Sequence, residues 1–165
     1  MRYDQSGGET AKELIGKLTK EQLADIIYEF GDERRSRRIA KNIKSSRNLN
    51  TTSDLVDAIR KSTPPHQRNK TFARVFQAIR IAVNGEIEKL KSFLDIFLRY
   101  LNKEGRLVIM SYHSLEDRIV KNFFRELKRD NKVCVLTKKP ITPSTTEIEH
   151  NRRARSAKLR ALEKL

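Results

Sequence analysis

An apolar run, Leu107-Val108-Ile109-Met110, passes without a break into Ser111-Tyr112-His113-Ser114, and Leu115-Glu116-Asp117-Arg118 follows as the start of a helix. Two hydroxyls, a phenol and an imidazole therefore stand where a strand gives way to a helix. In open α/β sheets ligands collect outside the carboxyl ends of strands, so these side chains are placed for chemistry that the same residues in mid-helix could not do. Ser111 can accept a hydrogen bond, His113 can exchange a proton near neutral pH or bond a phosphate, and Tyr112 can stack on an extruded base. Each also has a plain structural use. Ser114 with Asp117 has the spacing of a helix cap, His113 can bond the backbone at a strand end, and Tyr112 can pack on the helix that follows.

The elements needed to position this turn read from the pattern of apolar residues. A strand at 106–112 is apolar almost throughout, which predicts an interior strand covered on both faces. Before it, Ile87, Leu90, Leu94, Phe97, Leu98 and Leu101 recur at helical spacing over 86–101, and after it Ile119, Val120, Phe123, Phe124 and Leu127 do the same. The order helix, strand, helix defines an α/β class. Residues 132–138 read as a further strand, and 156–163 can pair with it as a terminal hairpin, although that Ala-, Leu- and Lys-rich stretch suits a helix as well.

Upstream, short helices follow one another. Thr10 with Glu13 and Thr19 with Gln22 have capping-box spacing, so two helices begin there. Leu23, Ile26, Ile27 and Phe30 form the buried stripe of the second, and Gly31 is its expected stop. A third, about 33–46, carries Arg34, Arg35, Arg37, Arg38, Lys41 and Lys44 beside an Ile39/Ile43 stripe. Its one-signed charge forfeits the support of opposite-charge pairs, as expected of a helix that faces an anion, or of a merely solvated face. A fourth helix near 53–61 ends at Thr63-Pro64-Pro65, the expected hinge between two parts, and helix resumes over 71–83 until Asn84-Gly85 interrupts it.

Composition narrows the partners. The 165 residues include 36 Lys and Arg against 21 Asp and Glu, a net charge of +15, which favours a polyanion and nucleic acid first. No apolar run reaches the roughly 18 residues of a membrane-spanning helix. Cys134 is the single cysteine, which fits a reducing cytoplasm, and with His66, His113 and His150 far apart no zinc-type ligand spacing exists, so no metal is expected.

Three separated blocks, in order, then carry a resemblance. Phe76-Gln77-Ala78-Ile79-Arg80-Ile81 with Val83-Asn84 and Glu86, then Ser111 to Lys121, then Asn151-Arg152-Arg153-Ala154-Arg155-Ser156-Ala157-Lys158-Leu159-Arg160 resemble the bacterial ribosomal RNA small-subunit methyltransferase H family, also called the MraW family. The resemblance implies S-adenosylmethionine-dependent methylation of a cytosine N4 in small-subunit ribosomal RNA, with that RNA or the small ribosomal subunit as partner. It implies a partial Rossmann-like methyltransferase sheet preceded by an inserted all-helical domain. Residues 1–9 would be an interdomain remnant, 10–70 the helical domain that helps recognise RNA, and 71–165 the C-terminal part of the methyltransferase domain. Met1-Arg2-Tyr3-Asp4 resembles a motif well inside the family's proteins, so the chain is expected to begin in the middle, without the glycine-rich donor site. No cofactor-binding residue is expected here, activity of the chain alone is in question, and exposed apolar surface on the shortened sheet is expected to favour self-association.

On that footing Ser111 and His113 are the catalytic candidates. Tyr112, Arg118, Arg34, Arg38, Lys41, Arg152, Arg153 and Arg155 are the substrate-binding ones. Arg118 opposes the dipole at a helix start, a cost that a nearby phosphate or carboxylate offsets, and the C-terminal arginines can track an RNA backbone or form a disordered basic tail. Gln77 and Arg80 belong to the shared motif but suit intradomain hydrogen bonds. Two other readings stay open: a non-catalytic RNA-binding module that has lost the donor site, and a helical protein-interaction module whose charge maintains solubility.

Overall fold

The computed structural model describes residues 1–4 and 6–165. Among them are eight α-helices and three strands: α1 Ala11–Lys17, α2 Lys20–Gly31, α3 Ser36–Lys44, α4 Thr52–Arg60, α5 Arg68–Asn84, α6 Glu86–Ile96, β1 Arg106–Ser111, α7 Ser114–Arg129, β2 Val133–Val135, α8 Thr145–His150 and β3 Lys158–Lys164. The chain divides into two compact units, Met1–Glu86 and Ile87–Leu165.

The first unit is helical. Thr10/Glu13 and Thr19/Gln22 form the expected reciprocal capping boxes, and Thr51/Asp54 forms a third at the start of α4. Each satisfies two backbone N–H groups that a helix start leaves without partners. Ile27 from α2, Ile39 and Ile43 from α3, Ile59 from α4 and Val75 and Ile79 from α5 meet in one fully buried core. The turn at Pro65–Gln67 is a short 3-10 helix leading directly into α5, so it lies inside this unit, because α5 packs along α2.

Gly31 does not stop α2 as expected. It is the last helical residue, and the left-handed cap is Asp32 at φ 51°. The glycine serves packing instead: a Cβ there would lie 2.7 Å from the Arg74 carbonyl oxygen, so its absence lets the two backbones approach. Gly85, at φ 58°, ends α5 in the left-handed conformation that costs glycine little.

The second unit is α/β, with a small antiparallel sheet in the order β1-β3-β2. The ambiguous segment near 156–163 is a strand, and it is central: Arg106 to Ser111 pair with Glu163 to Lys158, and Val133 to Val135 with Lys164 to Leu162. Its choice of strand is tertiary, since two neighbours offer it ladder bonds that an isolated Lys/Ala/Leu stretch would find only as a helix. Leu94, Phe97, Val120, Phe124, Leu127, Val133 and Leu162 form the core under one face.

Within this chain β1 is not the interior strand, covered on both faces, that its apolar run predicts. β1 lies at an edge of this sheet, with alternating burial, and Val108 and Met110 are 56% and 52% exposed. Leu107, Ile109 and Ser111 point the other way, toward α7 and the core. A continuous apolar run specifies only what both faces are made of; which face is covered depends on the elements present.

Candidate functional site

The turn after β1 is built around His113. The expected Ser114/Asp117 cap is displaced by one residue: His113 is the N-cap of α7, and its Nδ1 accepts a hydrogen bond from the Glu116 amide at 3.3 Å. Glu116 reaches back, Oε2 accepting from the Tyr112 amide at 3.0 Å. A histidine ring nitrogen can take the capping role of a hydroxyl, here on the Glu116 amide, while Ser114 becomes the exposed first helical residue. The acceptor role assigns the ring proton to Nε2. Nε2 lies 3.3 Å from Glu116 Oε1, makes no hydrogen bond among the described residues, and belongs to a side chain only 7% exposed.

Burial pushes the Glu116 carboxyl up, but the His113 ring and the Tyr112 amide outweigh it and hold the group below its ordinary value. Ser111, at 2% exposure, ends the strand with its side chain inward, whereas Tyr112 is 54% exposed and its hydroxyl donates to Met110 Sδ at 3.2 Å. The turn thus presents one phenol and conceals one hydroxyl and one imidazole.

Asp117, freed from capping, ties α7 to β3. Its two oxygens accept from Arg160 Nε at 2.6 Å and Nη2 at 3.1 Å, a bidentate pair in which Asp117 is 8% and Arg160 5% exposed. Lys158 Nζ lies 3.8 Å away. Burial pushes the Asp117 carboxyl up, and Arg160, with Lys158 and Lys121 adding to it, brings it below its ordinary value. The pair fixes the first turn of α7 against the central strand and so fixes the His113 turn. Sequence spacing conceals it: 43 residues separate the partners, and neither Asp117 nor Arg160 announces the other.

The basic candidates fall into two groups. Arg152, Arg153 and Arg155 are exposed on a 3-10 turn, Arg152–Ser156, whose start is capped by Asn151 Oδ1 accepting from the Arg153 amide at 3.1 Å. That turn leads into β3, whose Lys158 pairs in register with Ser111, so antiparallel pairing brings the arginines to the same end of the ladder as the Tyr112/His113 turn. Arg118 is exposed on α7 and has no hydrogen bond or ion pair among the described residues. In the helical unit, Arg34, Arg38 and Lys41 are exposed on or just before α3. Arg35 and Lys44 are not free for a ligand: Arg35 donates to Gln67, and Lys44 Nζ donates to the carbonyls of Ile15 at 3.0 Å and Gly16 at 3.2 Å.

Gln77 and Arg80 make intradomain bonds. Gln77 donates to the Phe30 carbonyl at 2.9 Å, and Arg80 makes a bidentate pair with Glu86, both bonds 2.9 Å. Asn84 joins them, accepting from the Tyr3 amide at 2.9 Å and donating to the Met1 carbonyl at 3.0 Å. No glycine-rich turn follows a strand among the described residues.

The whole chain, residues 1–165, matches the MraW methylase family, and it belongs to that family. It is 48% identical over 170 residues to the ribosomal RNA small subunit methyltransferase H of Kosmotoga olearia, covering 100% of this chain and 57% of that protein. It is 48% identical over 169 residues to the protein of the same name from Thermotoga neapolitana, covering 99% and 55%, and 48% identical to that from Acaryochloris marina, covering 100% and 56%. The chain thus spans about half the length of the curated relatives it matches.

Proposed function

We propose that this chain supplies the RNA-recognising and target-facing portion of an enzyme that methylates a cytosine N4 in small-subunit ribosomal RNA, with S-adenosylmethionine as donor. The observation that carries the reading is the family match over all 165 residues, which includes the His113 turn. The name shared by its relatives and the +15 charge support an RNA substrate. The described residues of this chain do not fit a donor cradle, so the donor is assigned to the part of the family's proteins that this chain does not span. In the same reading β1, β2 and β3 are part of a larger Rossmann-like sheet, and the exposed Val108/Met110 face is covered by the elements that complete it.

The roles of this chain's residues follow from the target amine. A cytosine N4 is a weak nucleophile because its lone pair is delocalised into the ring, so the site must orient it and give its N–H an acceptor as the proton leaves. Ser111, whose side chain faces inward at 2% exposure, is proposed to support the turn from beneath and not to meet the amine directly. His113 is proposed to hold the turn through Nδ1, its buried Nε2–H keeping the ring in place behind Tyr112. Tyr112 stacks on the base, and Arg118, Arg152, Arg153 and Arg155 bind phosphates on either side. Arg34, Arg38 and Lys41 bind RNA from the helical unit.

The test joins this chain to the donor-binding portion of the Thermotoga neapolitana relative and incubates the hybrid with small ribosomal subunits and S-adenosylmethionine. Mass spectrometry of the digested RNA should place a new methyl group on a cytosine N4. The isolated chain should show no saturable heat when titrated with S-adenosylmethionine. Methylation at another base or atom, or of protein, overturns the reading.

A further inference from the structure

Arg34, Arg37 and Arg38, three of the basic residues at and before the start of α3, share one open cleft with Tyr28 from α2 and with Asp25, one turn before it on the same helix. Together they line an open cleft of about 490 Å³ in the helical unit. Tyr28 is 58% exposed. More than half of this large aromatic residue is left in water beside cations, while the core of the unit closes with Ile27 and Ile39 fully buried. Neither Asp25 nor the three arginines make a side-chain hydrogen bond or ion pair among the described residues, although a carboxylate and cations share one cleft.

We propose that this cleft binds one unstacked nucleotide of single-stranded RNA, its base lying on Tyr28, its flanking phosphates held by Arg34, Arg37 and Arg38, and its edge read by Asp25. The inference rests on the RNA substrate proposed above and specifies how the helical unit engages it. Aromatic platforms bordered by cations suit single strands, because every base has a face to stack and every linkage a phosphate to neutralise. An ionised carboxylate accepts only. The Watson–Crick edge of guanine alone offers two adjacent donors, N1–H and the N2 amino group, whereas the other bases place an acceptor beside each donor. The cleft is therefore selective for guanine. An acidic protein segment would use the arginines but would have no use for Asp25, which repels it.

Three labelled probes test this on the full chain: a guanine-containing single-stranded oligoribonucleotide, a guanine-free one, and a ribose-phosphate oligomer of equal length without bases. Tyr28→Ala should weaken binding of the guanine-containing RNA on the order of tenfold and leave the base-free oligomer unchanged, while Tyr28→Phe keeps most of the affinity. Arg37→Gln with Arg38→Gln should weaken all three probes and flatten the salt dependence by about 0.7 log units for each phosphate no longer neutralised. Tyr28 is a surface residue and alanine suits a helix, so circular dichroism should show both Tyr28 variants folded. Wild-type affinity in Tyr28→Ala, or equal affinity of the wild type for RNA and the base-free oligomer, overturns the stacking site while leaving the RNA substrate standing. Equal affinity for the two RNA probes overturns the role of Asp25. A wild-type chain that binds no probe at low salt overturns the RNA substrate itself.

Discussion

The two units solve the same problem, burying apolar surface, in different ways. In Met1–Glu86, helices close on all sides of one core, and the exposed faces carry charge. In Ile87–Leu165, a three-stranded sheet buries one face against α6 and α7 and leaves Val108, Met110 and Tyr112 of the other face more than half exposed. A helix satisfies its own backbone and needs cover along one stripe only, so a few short helices can complete a unit. A sheet has two faces and two edges, and three strands with a helical layer on one side leave the rest for something else. The core of the helical unit is thus made by its own residues, while the sheet unit leaves part of its apolar surface exposed in this chain.

Phe124→Ala should break the sheet unit and spare the helical one. The side chain is 2% exposed at the centre of its core, and truncation of such a phenylalanine costs about 3–5 kcal/mol. Amide hydrogen exchange should accelerate across residues 87–165 and stay unchanged through α2 to α5; a uniform acceleration would mean that the two units unfold as one.

Asp117→Ala should cost about 3 kcal/mol in the same unit, because it strands the Arg160 guanidinium at 5% exposure. The pair also gives this unit an acid limit. The folded pKa values of Asp117 and Glu116 are lowered, so their contribution is present in full above the unfolded carboxylate range, about pH 4, and is lost as pH falls through the folded values. Circular dichroism during acid titration should show the wild type losing stability there. Asp117→Asn should flatten that dependence.

In the helical unit, Gly31→Ala tests the close approach of α2 and α5. The new Cβ would meet a backbone carbonyl oxygen at 2.7 Å, which cannot move without its helix, so a loss of about 1–3 kcal/mol is expected in denaturant titration despite alanine's better helix propensity. A stabilised variant would show that the helices part easily. The smallest effect belongs to the open sheet face: Val108→Ala should change the stability of this chain by about 0.5 kcal/mol or less. The same change in the hybrid enzyme should cost about 1 kcal/mol or more if the added portion covers that face.

Much of the local structure is legible in the sequence because its causes are local. The capping boxes at Thr10 and Thr19 need one hydroxyl and one carboxylate or amide three residues on, and the stripe of α2 needs only the helical period. The third box, Thr51 with Asp54, carries the same signature. Spacing alone misplaces the α7 cap by one residue, because Ser114-x-x-Asp117 and His113-x-x-Glu116 are both plausible in one dimension. Asp117 is instead paired with Arg160, a residue of the central strand. Of the candidate site, the identity of the Ser111–Ser114 turn is visible in the sequence, while the concealment of Ser111, the tautomer of His113 and the gathering of Arg152, Arg153 and Arg155 at one end of the ladder are not.

Residue types and spacing alone determined the charge, the family, the starts of α1 and α2 and the position of the polar turn, since each depends on neighbours within about one helical turn or on a motif read in order. Only the tertiary structure decided that 158–164 is the central strand, that β1 stands at an edge with one face open, that Gly31 is a point of close packing and not a stop, and that Tyr28 shares a cleft with arginines. These depend on which distant segments come to lie side by side, and a strand's hydrogen bonds, a buried charge's partner and a ring's surroundings are all supplied by residues far away along the chain.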